Sequence, residues 1–367
     1  MNIRCFLYTF LAIFLFVSCQ QQDVYFDNIT YFDITEVKTD TIKGQPIHFD
    51  DIYTGNMFVY DSLITFTSHK YPDYLLSVFR ITDGKHLMNG ISKGNGKDEF
   101  MGINLMPQII IDSDRSPKYW LYAYTENKII QISYEQLSKN PQNIIDTVIP
   151  INPPKGYNLP FYYLFRLDST RMLVKTYPEI RQEKGRQLIQ PSYQIIQPEN
   201  GEIIRQINLY KPSLQKVVGK EPEPTFFYLS NDQIKPDTKK IANVMAFLHQ
   251  INILDLESGT VQSIRAKGTP KTSDVLQKSF KDSRLYYKSM CVDNNYIYTL
   301  LVNKPIDLTN SQLPSSKEIL IFDWSGNPIK RLILAQEIDQ IRLDLANHLL
   351  YGKNETTDEV YLFPLGS

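Results

Sequence analysis

The chain has 367 residues, a formal net charge of −1 and 22% charged residues. There is no basic excess to support nucleic-acid binding, and the length suits one large or two ordinary domains. With 24 Tyr and 19 Phe against 2 Trp, and with 21 Pro and 16 Gly spread as turn punctuation, the composition points to an all-β protein of many short strands.

Residues 1–18 carry one charge, Arg4, then an apolar run from Phe6 to Val17 interrupted only by Tyr8 and Thr9, then Ser18 and Cys19. A basic start, a short apolar stretch and a small residue before a cysteine read as an export signal. The run is too short for a spanning helix, which needs about 20 apolar residues. The end Leu15-Phe16-Val17-Ser18-Cys19 resembles a bacterial lipobox. That implies cleavage after Ser18, lipidation of Cys19 and attachment to the membrane through acyl chains. Residues 19–30 are expected to be the lipidated cysteine and a tether, and 31–367 a single domain. Asp23 alone after Cys19 is not an acidic cluster, so the expected place is the periplasmic face of the outer membrane. Of the 3 cysteines, Cys5 falls in the signal and Cys19 takes the lipid. Cys291 is left without a disulfide partner, in the strand-like run Met290-Cys291-Val292, where an inert buried thiol is expected.

Downstream, strand-like runs alternate with turns built on Asp, Glu or Asn with Gly. Leu75–Ile81 leads into Thr82-Asp83-Gly84-Lys85, and Trp120–Tyr124 into Glu126-Asn127-Lys128. Tyr193–Ile196 leads into Glu199-Asn200-Gly201, Ile251–Leu256 into Glu257-Ser258-Gly259, and Ile319–Trp324 into Ser325-Gly326-Asn327. Such turn pairs tolerate positive φ and favour hairpins. A degraded unit is expected around Tyr162–Asp168 and Met172–Tyr177, and a last hairpin over His348–Gly352 and Val360–Phe363. Recurring four-stranded units predict a six-bladed β-propeller, with seven blades as the alternative and a pair of β-sandwiches as the competing class. Closure is expected by pairing of the chain ends, Tyr31–Ile34 beside Val360–Phe363. Lys271–Tyr287 reads as a helical excursion. Pro-rich Lys211–Lys240, with Pro212, Pro222, Pro224 and Pro236, reads as an extended inter-blade loop.

Three features carry a family resemblance. Gly94-Asn95-Gly96-Lys97-Asp98-Glu99-Phe100 is similar to a Gly-x-Gly-Pro-Gly-Glu-Phe segment, departing from it at Lys97 and Asp98. Ile321–Pro328 is similar to a Phe-Asp-Trp-x-Gly-x-Pro turn, and the lipobox is followed directly by the repeats. In these the chain resembles the TolB-like six-bladed β-propeller lipoproteins of Gram-negative bacteria. The resemblance implies a fold, a compartment and interaction as the mode of action; it implies no reaction.

Chemistry-bearing motifs are sparse. Gly94, Asn95, Gly96 and Glu99 are the candidate binding residues, but the second glycine stands too close for a P-loop, and the glycines are expected to permit positive φ. His48, His69, His86, His249 and His348 show no metal-ligand spacing; His249 is expected to be a hydrogen-bonded core or rim residue. Asp112-Ser113-Asp114 lacks the later positions of a calcium loop, and there is no Gly-x-Ser-x-Gly elbow. Asp50-Asp51 and Asp358-Glu359 would serve glycoside chemistry only by converging in space. No catalytic residue, metal or cofactor is assigned. The favoured reading is a non-enzymatic module binding an envelope protein, a small molecule or a glycan. The alternative is a hydrolase or lyase acting on a glycan or lactone. Three or more of Asp, Glu, His and Arg converging within about 4–6 Å at the channel mouth would favour the enzyme. A lining of amides, aromatics and hydroxyls would favour binding.

Overall fold

The computed structural model describes residues 23–365 except Val24, Gln277, Leu308 and the segments 105–107, 112–115, 140–143, 157–160, 177–189, 212–224 and 310–312. The signal segment, Cys19, the Asp112–Asp114 pair and Pro212, Pro222 and Pro224 lie outside the described residues.

Six sheets form a six-bladed β-propeller. Blade 1 holds strands Asn56–Tyr60, Leu63–Thr67, Tyr74–Arg80 and His86–Ser92, and blade 2 holds Gln108–Ile111, Pro117–Ala123, Lys128–Ser133 and Ile145–Pro150. Blade 3 holds Tyr163–Arg166, Met172–Thr176, Ser192–Ile196 and Ile203–Ile207, and blade 4 holds Ser230–Ile234, Lys240–Met245, Gln250–Asp255 and Val261–Ala266. Blade 5 holds Arg284–Val292, Tyr296–Pro305, Ser316–Asp323 and Pro328–Ile338, and blade 6 holds Gln340–Asp344, Leu349–Lys353 and Val360–Phe363. Within each blade the first strand is innermost. Loops joining strands two and three, and the blade-to-blade connections, therefore share one face, here called upper. Turns joining strands one and two, and three and four, share the lower face.

The near-continuous apolar strands follow from this packing. Successive side chains point to opposite faces, and each face of a blade meets a neighbour. Ile129 joins the cluster between blades 2 and 3, and adjacent Ile130 the cluster between blades 1 and 2. The described core falls into six such clusters, one at each blade boundary.

The ring closes by pairing of N- and C-terminal strands, but through a different segment from the one expected. Gln45–Ile47 pairs antiparallel with Val360–Phe363; Pro46 is tolerated because the strand is an edge. The expected closure strand instead contributes to Ile29–Phe32, which pairs parallel with Val261–Ala266 as a fifth strand of blade 4. Phe32 is drawn there by edge contacts with Phe322 at 5.4 Å and His249 at 5.9 Å. Thr39–Ile42 likewise caps blade 5.

Other expectations are redistributed. The supposed degraded unit and the turn at Asn200 belong to one blade, blade 3. The turn at Asn127 joins strands two and three, whereas those near 83, 200, 258 and 326 join strands three and four. Lys271–Tyr287 reduces to a short helix, Thr272–Leu276, and a 3-10 turn, Phe280–Asp282, before strand Arg284–Val292 takes over. Lys211–Lys240 is not all loop: Ser230–Ile234 is the innermost strand of blade 4, with Asp232 and Ile234 buried and Pro236 in the turn beyond. The expected tether is partly packed, since Tyr25 and Phe26 are buried. Their rings meet Phe227 and Tyr210 at 5.4 Å.

Candidate functional site

A cleft of about 370 Å³ opens on the upper face near the central channel. That size falls in the range of small-ligand pockets, roughly 300–1,000 Å³. Tyr122 and Tyr124 close it from blade 2, with Asn104 from the connection before that blade. Phe161, Tyr162 and Tyr163 enter from blade 3, Tyr228, Leu229 and Ser230 from the start of blade 4, and Lys175 forms the floor. The rims Tyr124, Tyr162 and Leu229 are exposed, while Tyr122, Tyr228 and Lys175 are buried. Burial pushes the Tyr122 hydroxyl up to about 12, and it donates to Asn127 Oδ1 at 2.9 Å. Gly102 supports the wall by its lack of a side chain, since a Cβ there would stand 2.2 Å from Tyr124 Oη.

Lys175 is 2% exposed and sits on the blade 3 surface facing blade 4. Its Nζ donates to Ser230 Oγ at 2.6 Å and lies 3.0 Å from Asp232 Oδ2. The rings of Tyr163 and Tyr193 stand 5.4 and 5.6 Å away, within cation–π range. Asp232 also accepts from Tyr193 Oη at 2.5 Å, Ser230 Oγ at 2.6 Å and Asn243 Nδ2 at 2.8 Å. Burial and the neighbouring carboxylate hold the Tyr193 hydroxyl protonated far above its ordinary range.

The network continues outward because four registered positions of blade 4 are polar. Asp232 pairs with Asn243, Asn243 with Asn252, and Asn252 with Ser263. Asn252 Nδ2 donates to Asn243 Oδ1 at 2.9 Å and Gln250 Nε2 to Asn252 Oδ1 at 2.7 Å. Arg265 Nε donates to Gln250 Oε1 at 2.6 Å, and its Nη1 meets Asp23 Oδ2 at 2.8 Å. A polar ladder thus runs through the propeller wall from the cleft floor to the N-terminal segment. These groups are buried, and their mutual bonding offsets the cost of desolvating them.

The residues singled out from sequence do not line this cleft. The Gly94–Phe100 loop is closed on itself, with Gly96 N donating to Glu99 Oε2 at 2.9 Å. Its glycines are not required by positive φ, contrary to expectation. They allow close approach, since a Cβ on Gly94 would stand 2.0 Å from Glu99 Oε2. His249 is buried, and its Nε2 has no hydrogen-bond partner among the described residues, contrary to the expected bonded histidine. Its ring stacks on Tyr286 at 5.3 Å. Cys291 is buried and free, and burial pushes its thiol well above the ordinary range. Asp50-Asp51 and Asp358-Glu359 do not line the cleft. Among the described residues no three of His, Cys, Asp and Glu group as a metal site.

Sequence reasoning missed Lys175, Asp232 and the ladder. The available signals were a lysine inside the apolar strand Met172–Thr176 and small polar residues inside successive strands of blade 4. A second groove of about 660 Å³, between blades 5 and 6 and opening toward the lower face, is bordered by Ile42, Tyr296, Tyr298 and Leu365. It has no buried cation among its lining residues.

Residues 188–345, from late blade 3 into blade 6, match the TolB-like 6-blade propeller-like family. A crystal structure of a DUF4221-family member from Bacteroides vulgatus is similar with a TM-score of 0.56 at 13% identity, over 89% of this chain and 96% of that one. A putative exported protein from Bacteroides fragilis is similar with a TM-score of 0.49 at 11% identity, over 92% and 98%. At 13% identity the likeness to the DUF4221-family member is one of fold. No curated protein matches the chain.

Proposed function

We propose that this TolB-like six-bladed β-propeller is a lipid-anchored envelope lipoprotein that acts as a non-enzymatic binding module through its upper-face cleft. The observation that carries this is the lining. Six aromatic rings, an amide and a hydroxyl surround one cation, and that cation is already paired. Aspartate, glutamate, histidine and arginine are not among the residues that line this cleft. Tyrosines combine a broad apolar surface with a polar tip, which suits them to recognition. Rings from blade 2 oppose rings from blades 3 and 4, so the cleft fits a flat or ring-bearing group, such as a side chain of a protein partner or a sugar. The anchor at Cys19 and the periplasmic face of the outer membrane are supported by the lipobox-like Leu15–Cys19 segment.

The test compares the native lipidated protein with a Tyr124→Ala/Tyr162→Ala variant, both substitutions being at exposed rims. Mild crosslinking in membranes and a glycan array should each be read for both proteins. A partner or glycan retained by the native chain and lost by an equally stable variant supports the reading. Turnover of a glycan or lactone by the purified protein, abolished in the equally stable Tyr124→Ala/Tyr162→Ala variant, would overturn it in favour of the hydrolase or lyase.

A further inference from the structure

We propose that the N-terminal segment clamps the lipid-bearing end onto the upper face, so that the face carrying the cleft stands against the bilayer. The inference rests on lipidation of Cys19 and adds an orientation to it. A lipoprotein on a long flexible tether has none. Here only three residues, Gln20, Gln21 and Gln22, lie between Cys19 and Asp23, four Cα steps with a reach of at most about 14 Å, and Asp23 is locked. Its carboxylate accepts from Arg265 Nη1 at 2.8 Å, Thr272 Oγ1 at 2.7 Å and the backbone N–H of Tyr25 at 2.8 Å. Lys211 adds two bonds, its N–H to the Tyr25 carbonyl at 3.0 Å and its Nζ to the Asp23 carbonyl at 3.2 Å. Tyr25 and Phe26, 1% and 2% exposed, complete the clamp.

The clamp's place decides the face. Lys211 and Phe227 lie in the connection entering blade 4, and Thr272 in the connection leaving it. Both connections are on the upper face. Tyr25 meets Phe227, Phe227 meets Tyr228 at 5.3 Å, and Tyr228 lines the cleft. The connection leaving blade 4 also matches a membrane surface. It exposes part of Phe280, whose ring also rests on Phe226 and Phe247, together with Lys271, Lys278 and Lys281 and with Lys267 beside Asp33, against Asp274 and Asp282. An exposed ring amid basic side chains suits an anionic headgroup layer. A ligand would then reach the cleft at the membrane surface.

The experiment uses the full lipidated chain in vesicles of phosphatidylethanolamine and phosphatidylglycerol carrying a headgroup nitroxide. Fluorophores are placed singly through Leu229→Cys and Phe280→Cys on the upper face and Ile329→Cys on the lower; Cys291 is buried and Cys19 is acylated. Several-fold stronger quenching at the upper positions is expected. A twelve-residue Gly-Ser insertion between Gln22 and Asp23 should equalise the three signals while co-flotation persists. Co-flotation with equal quenching in the native chain, or stronger quenching at the lower position, overturns the orientation alone. Absence of co-flotation and of acylation by intact mass overturns the lipid-anchor reading beneath it.

Discussion

Lys175 Nζ and Asp232 Oδ2 meet at 3.0 Å across the boundary of blades 3 and 4, with both side chains almost completely enclosed. The pair joins two blades and forms the floor of the cleft, so its chemistry bears on stability and on recognition together. A buried ion pair is retained at a large desolvation cost, and removing one member leaves the other uncompensated.

Lys175→Met should therefore lower stability by about 3–5 kcal/mol. Lys175→Met with Asp232→Asn, which removes both charges and keeps the amide able to bond Tyr193 and Ser230, should recover at least part of the loss. Urea titration of the three proteins checks this. A single variant as stable as the native chain would show that the pair contributes nothing.

Acid should weaken the fold through His249. Burial holds its pKa at about 4, against roughly 6.5 in the unfolded chain. Between these values the unfolded chain binds a proton that the folded chain does not, so stability rises with pH across that window and levels above it. The contribution is on the order of 3 kcal/mol between pH 7 and pH 4. Denaturation midpoints of native and His249→Phe proteins over that range should diverge as the pH falls, the variant showing the shallower slope.

Trp324 is buried, with its Nε1 donating to the Asp293 carbonyl at 2.9 Å. Trp324→Ala should cost about 3–5 kcal/mol and also orphan that carbonyl. Calorimetry reads this as a lowered melting temperature. An unshifted transition would show that the boundary of blades 4 and 5 collapses to fill the space.

Cys19→Ala should move the protein from the membrane fraction to the soluble one without altering its melting temperature. Detergent partitioning checks the first part. Unchanged partitioning would refute the lipid anchor.

Much of the architecture was legible locally. Asp83-Gly84, Gly201, Gly259 and Gly326 mark hairpins because their backbones take positive φ, from +68 to +83 at the glycines. Turn chemistry of that kind is a property of two or three adjacent residues. The strand runs were legible for the same reason, and with them the six-bladed class. Which strand closed the ring was not. Tyr31–Ile34 and Gln45–Ile47 are both short edge segments, and the choice depends on contacts more than 200 residues away: Phe32 with His249 and Phe322, and Pro46 beside Tyr361.

The cleft lay further from view. By itself the chain determined its strand content, its turns, its balanced charge and a lipobox-like segment at Leu15–Cys19. Tertiary structure alone decided that Lys175 faces Asp232, that Asn243, Asn252 and Ser263 extend the contact into a ladder, and that Asp23 terminates it. Strand pairing places residues at equal depth whatever their separation in sequence. Lys175 and Asp232 are 57 residues apart and Asp23 lies 242 before Arg265, so no local pattern distinguishes them from isolated polar residues until the blades bring them together.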